Sequence, residues 1–478
     1  MDCMFKGSRL NSTPRIPYKW SLMFVIGLGN LLAIMDGGMV AISLPKIIEV
    51  FDSNASTVAW ISLAYFVGTA SPLMTLGWLA DTVGRKRMYI LGTMIVTAGL
   101  AFSAVSQSVP QLICVRLASA IGSSMILAND NALLTSGFPS QDRGKAQGIS
   151  NMALGLGLGL GFLLGGVLID TLGWRALFWI RMPAWIILVI LAWRIIQDDR
   201  GTGPTIIRLD ALGSILLGAA TITILLAINQ AGKVGIVTPF PIAMITATVI
   251  LVPILVMVER KASSPIIDLD LFKNRVFSSG MASQLFMQIA QGGWNFLAPF
   301  YLIYGMGYSS SMAGLIILPF HLIRLIFSPI GGVLADRYGS QIPAAGGGIL
   351  LLGGLFLISS LASDAGLWLI VLTILIAGSG LSIFLPANNS SIMGNVPLRN
   401  LGSASSFLAG SRAVGTSIGV ALAAAAYTIF TNRERVEGTS YIENGSVDSF
   451  EKALLLVIFA SLIGIPVILA RGKEQGQK

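Results

Sequence analysis

The chain has 478 residues, of which 54% are hydrophobic and only 11% are charged, and its mean hydropathy is +0.79. A core folded in water cannot bury so much apolar surface, so most of it must face lipid. The formal net charge of +9 would suit a nucleic acid, but the basic residues are concentrated in the loops of one membrane side, so no nucleic-acid partner is expected. Two cysteines, Cys3 and Cys114, provide neither a disulfide framework nor a metal centre.

The apolar stretches number about fourteen, and each is long enough to cross a bilayer as a helix. They lie near residues 20–44, 57–79, 88–106, 111–134, 146–169, 175–196, 210–230, 237–258, 277–303, 311–334, 343–361, 366–390, 403–430 and 451–470. They are too long and unbroken for barrel strands, which alternate over about ten residues. The predicted fold class is therefore all-α, a polytopic membrane protein.

Basic residues are unevenly distributed between the two sides of the predicted membrane. Most lie in the N-terminal segment and in the loops that share its side, such as the Arg85-Lys86-Arg87 run. This excess predicts a multi-pass protein of the plasma (inner) membrane with both termini in the cytoplasm. Residues 1–19 are polar and basic, and the first apolar run is too long for a cleaved signal, so predicted helix 1 is a retained anchor.

A charged turn occurs twice between long apolar segments. GWLADTVG at Gly77–Gly84 recurs as GVLADRYG at Gly332–Gly339, and we call these two segments the LAD turns. Each follows the second apolar stretch of its half, which indicates a duplicated helical membrane protein. The sequence thus predicts a six-helix bundle over 1–200, an inserted pair of linker helices (predicted helices 7 and 8) over 201–265, and a second six-helix bundle over 266–478.

At GWLADTVGRKR the sequence resembles the major facilitator superfamily, whose signature turn between helices 2 and 3 has this pattern. Five further stretches resemble the fourteen-helix drug–proton antiporter branch of that superfamily, which includes quaternary-ammonium and tetracycline exporters. They are MDGGMVAISLP, RLASAIG (with Arg116 and Gly122), GLGLGLGFLLGG, LGWRALFWIRMP and SPIIDLDLFKNRVF. The resemblance implies two pseudo-symmetric bundles that work by alternating access, a small-molecule substrate, and a proton gradient as the energy source instead of a cofactor.

The chain departs from the antiporter motifs at three places. Gly161-Phe162 stands where the motif of predicted helix 5 usually has Gly-Pro, so an expected kink is removed. Gly38 and Ala41 occupy positions of predicted helix 1 that usually carry Thr and Asn. Arg181 begins a segment that usually reads Asn-x-Pro. These departures concern the transport mode and the substrate rather than the fold.

The charged residues of the LAD turns are candidate gating residues, because a carboxylate at a helix end can bind its partners in one conformation and release them in the other. In the first turn they are Asp81, Arg85 and Arg87, with Asp142 and Arg143 of the next cytoplasmic loop as expected partners. A basic loop that only sets topology is the alternative. The second turn has Asp336 and Arg337 without a following basic cluster, so it is chiefly evidence of duplication.

Asp36, in the second half of predicted helix 1, is the main proton-coupling candidate. An ionised carboxylate inside a bilayer is costly unless it is paired or wetted, and burial favours its protonated form. Arg116 of predicted helix 4 is expected at the same depth, where its approach would keep Asp36 charged and its retreat would favour proton uptake. Asp36 could also attract a cationic drug. A static ion pair between the two helices is the structural alternative.

Asp130 is spaced from Arg116 so that both residues fall on nearly the same face of predicted helix 4. Two interpretations of Asp130 stay open. It is either a second proton or cation site near the cytoplasmic end of the cavity, or a side chain that reaches water or braces the LAD turn.

Predicted helix 5 contains Gly157, Gly161 and Gly165 at four-residue intervals, followed by Gly166. This spacing lets another helix approach its backbone closely. The resemblance to the antiporters implies that this helix lies between the two bundles, where rocking occurs. Phe162 at the usual proline position is expected to alter that movement.

Predicted helix 9 carries four amides on one face. They are Gln284, Gln288, Gln291 and Asn295. Because amides facing lipid are costly, we expect this stripe to line the central cavity, with hydrogen bonding between helices as the alternative. The aromatic residues expected to add to the lining are Trp294, Tyr301, Trp60 and Tyr65.

Several cations also lie inside predicted helices. His321 and Arg324 share one face of predicted helix 10, Arg412 lies in helix 13, and Arg181 lies in helix 6. His321 is a further proton-coupling candidate because histidine titrates near neutral pH, although a lone histidine is more often a packing residue. These cations complicate the prediction of a cationic substrate.

The sequence predicts a proton-coupled exporter of small amphipathic or cationic drug-like compounds, of the kind that confers antibiotic resistance, acting as a monomer. A carrier of an anionic or lipid-like substrate is the second hypothesis, with Arg324, Arg181 or Arg412 meeting its negative group. A non-transporting sensor is disfavoured because it needs no central cavity. An enzyme is not expected, since the sequence shows no nucleotide loop, no metal-ligand cluster and no nucleophile–histidine–acid set.

Overall fold

The computed structural model describes residues 18–138, 143–197, 211–235, 237–261, 269–361, 365–396, 401–437 and 447–471. Within these ranges the chain is helical and contains no strand, so the predicted all-α class is confirmed. Twelve helical segments are long and apolar enough to cross a membrane. The other two predicted crossings correspond to a kinked pair of short helices, Ala55–Ala70 and Leu73–Val83, and to the amide-rich helix Arg275–Phe300.

The first bundle, which we call the N-bundle, contains eight helices. They are α1 (Tyr18–Phe51), α2 (Ala55–Ala70), α3 (Leu73–Val83), α4 (Arg85–Ala104), α5 (Val109–Gly137), α6 (Arg143–Leu172), α7 (Ala176–Trp179) and α8 (Arg181–Ile195). The inserted pair is α9 (Ala211–Val234) and α10 (Pro239–Lys261).

The second bundle, the C-bundle, repeats this plan after a 3₁₀ turn at Leu269–Lys273. Its helices are α11 (Arg275–Phe300), α12 (Ser310–Leu322), α13 (Arg324–Tyr338), α14 (Gln341–Ser359), α15 (Leu367–Gly394), α16 (Leu401–Glu437), α17 (Val447–Leu462) and α18 (Gly464–Leu469). A π-helical turn at Tyr301–Gly305 follows α11.

The two LAD turns share a backbone feature that explains their common final glycine. Gly84, between α3 and α4, has φ +108°, and Gly339, between α13 and α14, has φ +79°. Residues with a side chain rarely adopt such positive φ values, whereas glycine does so at little cost. The glycine repeated in the sequence therefore reverses the chain direction at the corresponding place in each bundle.

Helix α6 uses two faces for two different contacts. On one face, a Cβ at Gly157 would lie 2.8 Å from the carbonyl oxygen of Leu31, and a Cβ at Gly161 would lie 2.3 Å from that of Met35. This face, which also includes Gly165, packs backbone to backbone against α1 inside the N-bundle. The four-residue glycine spacing thus predicts close packing correctly, but the partner of these three glycines is α1 and not the opposite bundle.

The other face of α6 meets the C-bundle along α12. A Cβ at Gly166 would lie 2.1 Å from the carbonyl oxygen of Ser310, and a Cβ at Gly314 would lie 2.3 Å from that of Phe162. Helices α2 and α16 form the second large contact between the bundles. Gly166 and Gly314 therefore allow the two bundles to approach to backbone contact.

Hydrogen bonds between described residues of the two bundles lie at one end of the molecule, which we call the outer side after the predicted orientation. The Asp170 carboxylate, at the end of α6, accepts bonds from the backbone N–H groups of Ser310 (3.2 Å) and Ser311 (2.7 Å). Tyr304 donates its hydroxyl to the carbonyl oxygen of Pro45 at 2.7 Å. Ser56 of α2 bonds Thr428 of α16 at 2.8 Å. The outer side is therefore closed in this conformation.

The inserted pair packs against the junction of the two bundles. Helix α9 contacts both α2 and α16, and Asn229 donates to the backbone oxygen of Ser56 at 2.7 Å. A Cβ at Gly232 would lie 2.5 Å from the Cα of Ala425, so α9 touches the backbone of α16. Helix α10 covers α9 and its most apolar stretch is only 11% buried. The linker helices therefore brace the α2–α16 contact besides joining the halves.

Removal of the Asp170 charge is expected to weaken closure of the outer side. In Asp170→Asn, the first turn of α12 loses a negative charge facing its N–H groups, a contribution of about 0.5–2 kcal/mol. The ratio of open to closed molecules should then rise by a factor of about 2 to 30. The measurement is labelling of a Thr428→Cys reporter by a membrane-impermeant maleimide, with Cys3 and Cys114 replaced by serine.

Asp448→Asn is the matched control for this experiment. Asp448 is exposed and pairs with Lys452 one helical turn away, so its charge does not bridge the bundles. We expect its labelling rate to equal that of the parent protein. Equal rates in the Asp170 and Asp448 variants would show that the Asp170 cap does not stabilise outer closure.

Candidate functional site

The carboxylate of Asp36 lies between two arginines in the middle of the N-bundle. Arg116 of α5 donates from Nη1 to Oδ1 at 3.0 Å and from Nη2 to Oδ2 at 2.5 Å. Arg181, the first residue of α8, donates from Nη1 to the same Oδ1. The side chains are 6% exposed for Asp36, 3% for Arg116 and 1% for Arg181. We call these three residues the Asp36 triad.

The three charges of the triad attract each other strongly, but their burial away from water costs free energy. A bidentate arginine–carboxylate pair fixes both oxygens in one plane, and the second arginine leaves the triad with one excess positive charge. Removal of water from all three groups costs several kcal/mol per ion, which their mutual attraction must offset. The charge of any one member is therefore closely coupled to the position of the other two.

Further contacts hold the arginines in place. The Arg116 guanidinium lies 4.2 Å from the ring centroid of Tyr65, whose hydroxyl bonds Ser123 at 2.8 Å. Arg181 donates from Nε to the carbonyl oxygen of Leu177 at 2.7 Å. A cavity of about 10 Å³, bordered by the triad and by Trp185, has room for about one water molecule. The triad thus adjoins a small polar space in the middle of the bundle.

The structure brings Asp36 and Arg116 together as the sequence predicts, but it changes the role of Arg181. As a possible ligand of an anionic substrate, Arg181 was expected to be free, whereas its guanidinium binds Asp36. The feature of the sequence that could have indicated this contact was the departure from Asn-x-Pro at Arg181. Leu177 and Arg181 are one helical turn apart, which directs the arginine into the bundle.

Asp130 is buried elsewhere in the N-bundle. It lies on the face of α5 that points to α1, as does Arg116, but its neighbours are Asn30 of α1 and Tyr89 of α4. A Cβ at Gly29 would lie 2.3 Å from the Tyr89 hydroxyl, so this glycine makes room for the tyrosine. Asp130 forms no ion pair with another described residue. Its possible role as a second proton site stays a prediction.

The four amides of α11 do not form one cavity lining. Gln284 is fully buried and accepts a bond from Asn388 of α15 at 3.1 Å. Arg471, after α18, donates to Asn388 and, at 3.2 Å, to Ser283. Gln284 therefore belongs to a polar network inside the C-bundle, and its assignment to the cavity is wrong for this conformation. The reason is that Asn388 and Arg471, distant in sequence, supply the bonds that a cavity would otherwise provide.

The other three amides lie further along α11. Gln288 and Gln291 are mostly buried, and Asn295 is half-buried. Gln288 packs near Gly415 of α16, and its Oε1 makes no hydrogen bond to another described residue. These amides remain candidates for contact with a substrate.

Most of the aromatic residues predicted to line the cavity pack against other side chains instead. Tyr301 stacks on Phe450 with ring centroids 4.1 Å apart, and Trp294 packs against Phe320 at 6.0 Å. Both are buried inside the C-bundle, so they do not line a cavity in this structure. Trp60 is half-buried against the core. Tyr65 contacts Arg116 and belongs to the surroundings of the triad.

His321 is buried at the contact between the two bundles. Its ring stacks on Phe162 of α6 with centroids 5.5 Å apart and planes 8° apart. Neither ring nitrogen has a hydrogen-bond partner among the described residues. The phenylalanine that replaces the usual proline thus fills the space against His321, and a proton-coupling role for His321 stays a prediction.

The predicted gating residues are only partly described. Asp142 lies outside the described residues, and the side chains of Asp81 and Arg143 are likewise outside them. Arg85 is half-buried and Arg87 is exposed. In the second LAD turn, Asp336 is exposed and Arg337 lies over the ring of Tyr338 at 5.4 Å. The gating roles stay predictions.

Sequence reasoning missed the Asp170 contact across the bundles. Asp170 stands near the end of an apolar helix, where an acidic residue normally signals only a solvent-exposed terminus. The capped N-terminus of α12 is 140 residues away in the chain, so no local pattern connects the two. For the same reason, the sequence did not predict the hydrogen-bond network formed by Asn388 and Arg471.

These features define a class of protein before any comparison is made. Two bundles of transmembrane helices, related by a repeated turn and closed against each other at one end, form a secondary transporter rather than an enzyme. The family model of the Major Facilitator Superfamily matches residues 26–420, and the chain belongs to this superfamily.

Known relatives and solved structures agree with this assignment. The chain is 31% identical to the riboflavin transporter RibZ of Clostridioides difficile, over 84% of this chain and 87% of that protein. It is 29% identical to the multidrug resistance protein Stp of Mycobacterium tuberculosis, over 84% and 74% of the two chains. A bacterial homologue of the lysosomal transporter Spinster, solved inward-facing and unoccupied, has a TM-score of 0.67 at 16% identity, covering 98% of this chain and 100% of that one, and shows the same fold.

Proposed function

We propose that the protein is a proton-coupled exporter of small amphipathic compounds that works by alternating access. The observation that carries this proposal is the Asp36 carboxylate, which is buried between Arg116 and Arg181. A carboxylate held in this way stays ionised while the arginines are close and accepts a proton when they separate. Movement of α1, α5 and α8 relative to one another would therefore bind and release one proton in each cycle.

The contacts between the bundles support the alternating-access part of the proposal. Among the described residues, the polar bonds that join the bundles on the outer side are those of Asp170, Tyr304 and Ser56. The contact along α6 and α12 combines backbone-to-backbone approach at Gly166 and Gly314 with the stacked rings of Phe162 and His321. A small number of hydrogen bonds between closely packed helices allows two rigid bundles to separate and close again.

The names of the relatives support export of small organic molecules. One relative is named a multidrug resistance protein and another a riboflavin transporter, so flat, amphipathic compounds are the first substrates to examine. Neither name determines the substrate of this chain, because one fold hosts many substrates.

Transport into proteoliposomes tests the proposal. Vesicles with an acidic lumen are diluted into alkaline buffer, and accumulation of riboflavin, rhodamine 123 and fluorescein is followed. We expect at least one probe to accumulate and a protonophore to abolish that accumulation, because the outward proton flow supplies the energy. Uptake that persists without the gradient, or no uptake of any of the three probes, would contradict proton-coupled export.

A further inference from the structure

Two arginines in the membrane-spanning part of the C-bundle lack a counter-ion. Arg324 is the first residue of α13, and Arg412 lies in the cytoplasmic half of the span of α16. Both side chains are half-buried. Neither forms an ion pair or a hydrogen bond with another described residue, and Nε of Arg412 is buried without a partner.

The sequence around these arginines contains no carboxylate. No aspartate or glutamate occurs in residues 276–335 or 365–432, which include all of α12 and α15, and Asp336, on the same helix as Arg324, is exposed three turns away. In the N-bundle, Asp36 already binds two arginines and Asp170 caps α12 at the outer side. Asp130 lies on α5, beside Asn30 and Tyr89. Among the described residues, no acidic side chain forms an ion pair with Arg324 or Arg412.

The two arginines lie on helices that contact the opposite bundle. Helices α12 and α16, which carry or adjoin them, make the main C-bundle contacts with the opposite bundle. Arg324 is within electrostatic range of Arg412 and of His321, which stacks on Phe162 across the interface. The two positive charges thus act on each other, and they belong to helices that contact the opposite bundle.

An unpaired charge inside a membrane protein is expensive, and two like charges in a medium of low dielectric constant also repel each other. A bound anion would remove both costs and would accept charge-assisted hydrogen bonds from the two guanidinium groups. A cation would meet repulsion from Arg324, from Arg412 and from the excess positive charge of the Asp36 triad.

We propose that Arg324 and Arg412 bind the negative group of the transported substrate, so that the substrate is an organic anion. This inference rests on the proposed transport function. It replaces the sequence-based preference for a cationic compound. The hypothesis of an anionic substrate gave three arginines as ligands of its negative group. Two of them remain, because Arg181 binds Asp36.

Binding of two matched dyes to the purified full-length protein in detergent, without any gradient, tests this proposal. Fluorescein is an anion at pH 8, and rhodamine 123 is a cation with the same three-ring xanthene and pendant phenyl group. We expect fluorescein to bind the parent protein at least about tenfold more tightly. Arg324→Gln and Arg412→Gln should each weaken fluorescein binding by about tenfold and leave rhodamine 123 binding unchanged or tighter.

Three control variants distinguish the loss of a specific anion site from misfolding and from a change in the net charge of the protein. Arg324→Lys and Arg412→Lys keep the charge and should retain most of the affinity. Lys273→Gln removes an exposed cation from the 3₁₀ turn that precedes α11, and should leave fluorescein binding unchanged. Equal affinities for the two dyes, a preference for rhodamine 123, or no saturable fluorescein binding would overturn the proposal. Fluorescein binding that depends on both arginines, together with a failure of proton-driven uptake, would uphold the anion site and reject the exporter proposal.

Discussion

Proton-driven efflux is expected to be abolished in Asp36→Asn, because the asparagine can neither carry the negative charge nor exchange the proton. The structure adds a second effect. Arg116 and Arg181 would be left buried without their counter-ion, and breaking a buried pair in this way costs about 3–5 kcal/mol. The variant should therefore show a lower unfolding temperature as well as no accumulation of any probe in the proteoliposome assay.

A double variant distinguishes the role of Asp36 in proton coupling from its contribution to the unfolding temperature. In Asp36→Asn/Arg181→Gln, one uncompensated charge is removed together with the carboxylate, so we expect a large part of the lost unfolding temperature to return. Efflux should remain absent, because the proton-exchanging group is still missing. Recovery of gradient-driven efflux in the double variant, or its retention in Asp36→Asn, would show that Asp36 only holds helices together.

Asp270→Asn serves as the matched carboxylate control. Asp270 lies in the 3₁₀ turn before α11, is 79% exposed and pairs with Lys273 at 2.7 Å. The hydrogen bond and charge of Lys273 lower the pKa of the Asp270 carboxyl below its ordinary value, so it stays ionised at neutral pH. Transport and unfolding temperature should match those of the parent protein.

The second large effect is expected from Gly166→Val. A Cβ at Gly166 would lie 2.1 Å from the carbonyl oxygen of Ser310, which is backbone and cannot turn away. The side chain of Gly166 would point between the bundles and not into the N-bundle. We therefore expect the protein to fold but to be unable to close its outer side, since overpacking of this kind costs about 1–3 kcal/mol or more. Transport should fall at least tenfold, a change of about 1.4 kcal/mol.

Labelling of the Thr428→Cys reporter from outside should rise in Gly166→Val. Gly161→Val provides the contrasting variant on the same helix, because its Cβ would meet the carbonyl oxygen of Met35 inside the N-bundle and should prevent folding. Gly155→Ala is the neutral control, since no described atom outside its own helix backbone lies within 4 Å of a Cβ there. If Gly166→Val closed and transported normally, close approach of the two bundles at Gly166 would not be required for closure.

The local sequence was sufficient for the fold because each determinant of the fold is local. Apolar length predicts each helix, and a glycine that must adopt positive φ marks each LAD turn at Gly84 and Gly339. Two copies of one turn then predict the duplication. The partnership of Asp36 and Arg116 also followed from local positions, since their places along predicted helices 1 and 4 put both at one depth in the outer half of the membrane.

Only the tertiary structure decided which buried polar groups satisfy each other. Whether Arg181 is free for a ligand depends on its distance from Asp36, and whether Gln284 lines a cavity depends on Asn388. Helix periodicity shows the face on which a side chain lies but not the group that the next helix brings to that face. The sequence determined that charges lie within the membrane. The packing determined that Asp36 pairs with two arginines, while Arg324 and Arg412 have no acidic partner within the part of the chain that the structure describes.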